Sequence, residues 1–213
     1  MSLYSILSFD PGLTTLGWSF NIYDSEKNLM TVKKYGTFKA SKMASKQKES
    51  SEMYGQRLIA LNLLEAEICR LIDYYKPMYI ASEDIFLHIK HVNAFAALTL
   101  CLHTMRRAAY SRNKVIYTMA PCDIKKVTTD KGTADKEAIQ KSIIANNNII
   151  IQESKQNPIN KMCEHEADSI AAGYSFAISI LPTILLEQHE NAKVLIEEFE
   201  PKKVIRKKNR KSQ

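Results

Sequence analysis

The first forty residues constrain the fold more than any other part of the chain, because three short apolar segments follow one another there. Residues 3–9 are apolar and end at Asp10-Pro11-Gly12, a sequence typical of a tight turn. Residues 14–23 alternate strictly, with large apolar side chains at Leu16, Trp18, Phe20 and Ile22. A period of two indicates a half-buried strand. With a third segment over residues 29–38, the pattern predicts a three-stranded antiparallel meander.

The rest of the chain alternates between helical and strand-like patterns. Apolar spacing of three and four residues predicts helices over residues 53–75, 92–112, 134–146 and 164–181, with a helical turn over 121–127. Short apolar runs predict strands over 78–82 and 114–119. This order predicts an α/β fold, a mixed five-stranded sheet with helices on both faces. We expect one domain over residues 1–200 and a basic, disordered tail over 201–213.

Charge and cysteine spacing exclude several classes of protein. Seven of the 30 lysines and arginines lie in residues 201–213, which leaves 23 against 23 acids in the rest of the chain. The four cysteines form no C-x-x-C pair, which excludes a zinc finger, and their wide spacing disfavours a disulfide framework. We find no signal peptide, and we interpret the longest uncharged run, residues 169–186, as a buried helix and its exit rather than a membrane span. We therefore expect an intracellular, reducing location and no membrane contact.

Residues 39–54 differ from their surroundings, being rich in serine and lysine with few large apolar side chains. Six lysines and no acid lie between Lys33 and Lys48. The pattern is typical of a solvated, flexible loop. It is also compatible with a loop that contacts a polyanion, and the two interpretations do not exclude each other.

Three acidic residues stand at the ends of predicted apolar elements. Asp10 ends the first strand, Glu83 follows the fourth, and Asp168 lies in the first turn of the last helix, where an acid also suits the helix dipole. The first and fourth strands can be neighbours, which would set Asp10 beside Glu83. Three crowded carboxylates repel one another unless a cation neutralises them. Hard oxygen ligands select Mg²⁺ or Mn²⁺, and a pair of such ions suits phosphodiester hydrolysis.

His165 precedes Asp168 by three residues and therefore projects from the same helical face. A histidine there could ligate a metal or move a proton, although a lone helical histidine is more often an ordinary surface residue. Glu164 lies four residues before Asp168 and is an equally good partner by spacing. The sequence leaves both candidates open.

Four segments resemble, in order and spacing, the RuvC-type Holliday junction resolvases of the RNase H-like nuclease superfamily: FDPGLTTLGWSF, ASEDIFLH, VTTDKGTADKEAI and EHEADSIAAGYSFA. The resemblance covers about residues 3–181. It implies an RNase H-like fold, a homodimer, and two Mg²⁺ ions per active site, for which Mn²⁺ would substitute. It also implies paired symmetric nicks in four-way DNA junctions that leave 5′ phosphates and 3′ hydroxyls. The serine- and lysine-rich segment and the basic tail are compatible with a viral or phage member.

The resemblance implies catalytic and metal-binding roles for Asp10, Glu83 and Asp168, which occupy the positions of the family's acids. His165 stands where many members carry an aspartate and some a histidine. We include it in the catalytic and metal-binding set, with Glu164 as the alternative.

The resemblance also implies DNA contacts. Phe86 matches an aromatic residue that wedges near the junction centre, where it could stack on an unpaired base. Lys131, Gly132 and Lys136 match a basic segment that approaches the DNA backbone. The plainer alternatives are a core phenylalanine and a charged helix start.

The predicted helix 92–112 carries no formal charge between Val92 and Met105 and is apolar on more than one face. One face would pack on the sheet. The other, lined with small residues, is the interface we expect for the homodimer, unless it too is core within one chain.

The leading hypothesis is therefore a Mg-dependent crossover-junction endodeoxyribonuclease that acts on branched DNA. The main alternative is an RNase H-like nuclease acting on other branched DNA, structured RNA or RNA–DNA hybrid. An actin-like nucleotide-binding enzyme is disfavoured by the chain length and by only six glycines. A non-catalytic junction-binding protein is disfavoured because all three expected acids are present.

Overall fold

One mixed sheet forms the centre of the molecule. The computed structural model describes residues 2–86, 92–153 and 158–199. Within these ranges the sheet has six strands: β1 (Leu3–Asp10), β2 (Leu16–Asp24), β3 (Leu29–Phe38), β4 (Tyr79–Glu83), β5 (Ile116–Met119) and β6 (Ile149–Ile151). Their order across the sheet is β5-β4-β1-β2-β3-β6. The first three strands are antiparallel, and β4, β5 and β6 each run parallel to a neighbour. The predicted meander and mixed α/β fold are confirmed.

Eight α-helices lie within the same described ranges: α1 (Ala40–Ala44), α2 (Lys48–Tyr54), α3 (Gln56–Tyr75), α4 (Val92–Tyr110), α5 (Pro121–Thr129), α6 (Lys136–Ala145), α7 (Glu164–Ser179) and α8 (Leu181–Phe199). Gly55, at a φ of 86°, precedes α3, which explains why that helix begins later than predicted. Pro121 starts α5, where its missing N–H costs nothing. Asp135 caps α6 by accepting a hydrogen bond from the Ala138 N–H at 2.8 Å.

The core has a layer on each face of the sheet, because successive side chains of a strand point to opposite faces. Ile6 of β1 belongs to a cluster with Phe176 of α7. Leu7 and Phe9 belong to a second cluster with Leu64 of α3. All five side chains are fully buried. The predicted placement of helices on both faces is therefore confirmed.

Two sequence expectations about local structure were wrong. The sheet has six strands in the described ranges, not five, because residues 149–151 pair in parallel with β3. Three consecutive isoleucines are too short a run to show a period. Residues 39–54 are not a loop but contain α1 and α2, and Ala40 and Ala44 bury the inner face of α1. The segment has few large apolar side chains, so its sequence shows no apolar period from which these helices could be predicted.

The single-domain boundary at residue 200 stays a prediction. Helix α8 continues to Phe199, and the expected tail over 201–213 lies outside the described residues.

One continuous helical run, Glu164–Glu190, has the length and apolar composition to cross a membrane. Over half of its most apolar window, 56%, is buried inside the molecule. Residues such as Ile170 and Phe176 pack against the sheet. The run therefore has the burial of a core helix, which is how the sequence was interpreted.

Candidate active site

Two of the predicted acids end neighbouring parallel strands. β1 and β4 pair in parallel, with Phe9 opposite Ser82, so Asp10 and Glu83 follow at the same edge of the sheet. The two strands were expected to be neighbours, and that expectation is confirmed. Strand pairing alone therefore brings two carboxylates together from positions 73 residues apart in the sequence.

Helix α7 brings the third acid to this edge. Gly17 is the register partner of Asp10 on β2, and a side chain on Gly17 would collide with the backbone of His165. The missing Cβ thus lets the first turn of α7 lie directly on the sheet beside Asp10. His165 Nδ1 and Asp10 Oδ2 are 2.6 Å apart, a hydrogen bond between the helix and the strand. Asp168, one turn later, lines the cleft at the same edge.

This cleft, of about 350 Å³, opens where the three elements meet. All four residues predicted to be catalytic line it: Asp10, Glu83, His165 and Asp168. Phe86 and Lys136, two of the four predicted DNA-binding residues, line it as well. The cleft therefore combines carboxylates, a histidine, an aromatic ring and a cation.

The carboxylates of the cleft are electrostatically crowded. Burial, followed by the charges of Asp10 and Asp168, raises the pKa of Glu83 to about 7. Burial and then the charge of Asp10 raise the pKa of Asp168 to about 6. The hydrogen bond with Asp10 raises the pKa of His165, against the opposing effect of burial. Neighbouring cations offset the negative charge gathered here only in part.

His165 and Glu164 occupy different environments, although their spacing from Asp168 is equally good. His165 contacts Asp10, whereas Glu164 is half exposed and forms an ion pair with Lys136 Nζ at 3.1 Å. The Glu164 carboxylate stands 3.7 Å from His165 Nε2. Burial lowers the pKa of Lys136, but the hydrogen bond to Glu164 and the nearby acids raise it overall. Only His165 of this pair is among the residues that line the cleft.

The chemistry of these side chains suits a hard divalent cation, since carboxylate oxygens dominate and their mutual repulsion is only partly offset. Within the described ranges no three histidine, cysteine or acidic side chains are already gathered as a metal-binding group. Asp10 is instead engaged by His165. An ion would therefore have to draw the carboxylates of Asp10, Glu83 and Asp168 towards itself.

The remaining predicted DNA-binding residues lie outside the cleft. Lys131 and Gly132 are in the turn between α5 and α6, where Lys131 is exposed. A side chain on Gly132 would meet the Cys122 carbonyl at 3.4 Å, an ordinary contact distance. The structure thus places these two residues on the surface near the start of α6, one turn before Lys136.

Sequence reasoning missed two polar residues that line the cleft. Lys125 of α5 lies near Glu83, and its charge partly opposes the rise in the pKa of that acid. Asp84 accepts a hydrogen bond from the Ile85 N–H at 2.8 Å and one from Thr118 Oγ1 at 3.4 Å. Asp84 could have been noticed beside Glu83, but nothing in the sequence of α5 indicates which of its lysines turns inward.

Several known proteins of similar sequence carry the name crossover junction endodeoxyribonuclease RuvC. The crossover junction endodeoxyribonuclease RuvC of Alkaliphilus metalliredigens is 27% identical over 147 residues, 65% of this chain and 76% of that protein. The enzyme of the same name from Alkaliphilus oremlandii is 28% identical over 147 residues, with the same shares of each chain.

Solved structures show the likeness of fold. Thermus thermophilus RuvC matches with a TM-score of 0.61 and 19% identity, over 81% of this chain and 93% of that one. The yeast mitochondrial Holliday junction resolvase Ydc2 matches with a TM-score of 0.56 and 10% identity, over 81% of this chain and 77% of that one. The predicted RNase H-like fold is thereby confirmed. The model of the family described as crossover junction endodeoxyribonuclease RuvC matches residues 6–172, and the chain therefore belongs to the RuvC family.

Proposed function

We propose that this protein is a structure-selective DNA endonuclease that resolves four-way, or Holliday, junctions. The observation that carries the proposal is the convergence of Asp10, Glu83 and Asp168 on one cleft in a chain of the RuvC family. Thermus thermophilus RuvC, solved in complex with a Holliday junction substrate, has a similar fold, with a TM-score of 0.62 and 18% identity. Branched DNA is accordingly the substrate class that we infer.

Family membership implies dependence on a divalent metal in general. We propose two Mg²⁺ ions, replaceable by Mn²⁺, which Asp10, Glu83 and Asp168 would hold, with His165 as a ligand or tuning residue. Bound there, the ions would supply activation of water and stabilisation of the leaving 3′ oxygen. The products would carry 5′ phosphates and 3′ hydroxyls.

Four residues form the proposed DNA contacts around the cleft. Phe86 is 69% exposed at its rim, and an exposed aromatic ring can stack on an unpaired base. The Lys136 side chain is 58% exposed and would exchange Glu164 for a phosphate. Lys131 and Gly132 present an exposed cation and a backbone without a side chain at the preceding turn.

The proposed homodimer would use α4, for which the structure supplies a surface. Cys101, Leu102 and Met105 in its second half are buried, whereas several uncharged residues of its first half are exposed, among them Ala96, Thr99 and Leu100. A two-fold dimer would present two clefts to a two-fold junction, so that symmetric strands are nicked in pairs. The expected intracellular, reducing location and the suggested viral or phage origin remain predictions.

The test is cleavage of an immobile four-way junction beside duplex, flap and RNA–DNA hybrid substrates of the same sequence, in Mg²⁺, Mn²⁺ or EDTA. We expect the junction to be cut fastest, in either metal, with no cleavage in EDTA. Faster cleavage of the flap or the hybrid would show that the preferred substrate is another branched DNA or an RNA–DNA hybrid, not the four-way junction. Junction binding without cleavage in either metal would contradict the nuclease.

A further inference from the structure

The strongest feature that the proposed function leaves unused is a lysine surface on and around α1, formed by Lys39, Lys42, Lys46 and Lys48. All four side chains are exposed, and residues 39–48 contain no acid. In the part of the chain that the structure describes, none of the four takes part in an ion pair. Three other lysines, by contrast, are paired with carboxylates: Lys27, Lys136 and Lys141. The lysine surface is therefore positive charge that no carboxylate in the described ranges neutralises.

The fold holds this surface in place. Ala40 and Ala44 are fully buried against α3, so α1 is anchored by one face and presents the other to solvent. The Ser51 hydroxyl donates a 2.8 Å hydrogen bond to the Ala44 carbonyl, which ties α2 to the end of α1. Lys42 lies on α1, Lys39 directly precedes it and Lys48 begins α2. Cations carried by such an anchored backbone lose less conformational freedom on binding than cations on a mobile loop.

The lysine surface begins close to the cleft. The Ser41 hydroxyl donates a 3.0 Å hydrogen bond to the Leu13 carbonyl. Leu13 lies three residues after Asp10, so their Cα atoms are at most about 11 Å apart. Pro11, between them, lines the cleft. A DNA backbone that reaches Asp10 therefore passes within reach of the start of α1.

The lysine surface also lies on the opposite face of the sheet from the proposed DNA contacts of Lys131 and Lys136. Ala40 and Ala44 belong to the core layer with α3, whereas Ile124 of α5 and Ile139 of α6 belong to the layer with α7. The turn and helix that carry Lys131 and Lys136 are thus on one side of the cleft, and the lysine surface is on the other. DNA bound at the cleft extends away from it on both sides, so one arm can reach the lysine surface while another lies beside Lys131 and Lys136.

We propose that the lysine surface binds the backbone phosphates of one duplex arm of the branched DNA whose crossover lies at the cleft. This inference rests on the proposed function. Duplex DNA carries one negative charge per about 1.7 Å of its axis. An arm that lies beside α1 therefore presents several phosphates to the lysines, whatever its sequence. Glu49 and Glu52 follow in α2 and are exposed, which limits the contact to residues 39–48.

The test compares two triple variants of equal charge. The first variant, Lys42→Gln, Lys46→Gln and Lys48→Gln, removes three of the four positive charges of the lysine surface. The control, Lys27→Gln, Lys76→Gln and Lys114→Gln, removes the same charge at the opposite end of the strands, where β2 ends and β4 and β5 begin. Junction affinity is measured against salt concentration for both variants and the native protein, on junctions with long arms and with progressively shortened arms.

We expect the first variant to bind the long-armed junction about tenfold to a hundredfold more weakly at low salt. Its plot of log affinity against log salt should be shallower by about 2 to 3, because each phosphate that the protein no longer neutralises lowers the slope by about 0.9. The defect should vanish as the arms are shortened, and the control should bind like the native protein.

Three results would overturn the inference while the native protein still cuts the junction: equal affinity of all three proteins, equal loss in both variants, or a defect independent of arm length. Failure of the native protein to cut any branched DNA would instead contradict the proposed function, and that result is distinguishable because it appears without any variant.

Discussion

The acid cleft and the lysine surface meet at one edge of the sheet but are built in opposite ways. The Asp10 side chain is 13% exposed and held by His165, and its neighbours have pKa values shifted by burial and mutual repulsion. The four lysines are exposed and have no ion-pair partner among the described residues. Cleavage of a phosphodiester requires catalytic groups held at fixed positions. Binding of the DNA backbone requires only positive side chains that can reach the phosphates. The two regions should therefore respond differently to substitution: the cleft in rate, the lysine surface in affinity.

The largest expected effect separates these two quantities. Asp10→Asn removes a charge central to the metal site, and we expect single-turnover cleavage of a four-way junction to fall on the order of a thousandfold, corresponding to several kcal/mol. Junction affinity should change less than about threefold. Asp73→Asn, which removes an exposed acid paired with Arg112 near the C-terminal end of α3, is the control and should retain cleavage. If Asp10→Asn lowered junction affinity as much as it lowers the cleavage rate, the cleft would not act on rate alone.

The second effect tests the crowding in the cleft through stability. The folded pKa of Glu83, about 7, lies above its ordinary 4.5, and that of Asp168, about 6, lies above 3.8. Between these values the folded state binds protons that the unfolded chain has released, so stability must fall as the pH rises through this window. In EDTA we expect a loss of about 1–3 kcal/mol between pH 4.5 and about pH 7.5, measured by urea unfolding.

The Glu83→Gln protein is the control for this effect, because it cannot release that proton. Its stability should fall less over the same pH range than that of the native protein. Added Mg²⁺ should raise the stability of the native protein most at the high end of the range, where the carboxylates are ionised. A native stability that rises steadily across the window would contradict the crowding of the acids.

The third effect concerns Phe86, at the rim of the cleft. Its ring is 69% exposed and contributes little to the core, so Phe86→Ala should leave thermal unfolding unchanged. Junction cleavage should fall about tenfold if the ring stacks on a base, a contact worth about 1–3 kcal/mol. Phe86→Tyr keeps the aromatic face and should keep most of the activity. A large loss of stability in Phe86→Ala would show that the ring belongs to the core instead.

The smallest expected effect concerns the hydrogen bond that joins α1 to the segment after β1. Ser41→Ala removes the hydrogen bond from α1 to the Leu13 carbonyl, worth about 1 kcal/mol. We expect junction affinity to fall about twofold to fivefold because α1 is less firmly set beside the cleft. Ser45→Ala, which removes a local bond to the Lys42 carbonyl within the same segment, is the matched control. Equal effects of the two substitutions would show that the Leu13 contact has no positioning role.

The sequence predicted the cleft well because its residues belong to regular elements. The alternation at Leu16, Trp18 and Phe20 predicted β2, and the apolar runs before Asp10 and Glu83 predicted the strands that carry them. Parallel pairing then brings these two acids together without further information. The close approach of α7 to Gly17 could not be predicted, because it depends on the shape of two surfaces that are distant in the sequence.

The segment over residues 39–54 could not be predicted for a different reason. Its helices are short, and α1 is held by the burial of two alanines and by serine hydroxyls such as Ser41 and Ser51. Such contacts have no periodic signature in the sequence. The charge of the segment was visible, but its position beside the cleft depends on tertiary packing, and only the structure supplies it.

The most direct test of the central claim is a map of the nicks that the native protein makes in an immobile four-way junction with Mg²⁺, with each strand labelled in turn and the new ends identified. We predict two nicks at symmetric positions on opposite strands near the crossover, each with a 5′ phosphate and a 3′ hydroxyl. Nicks scattered along the arms, or ends of the opposite polarity, would contradict it.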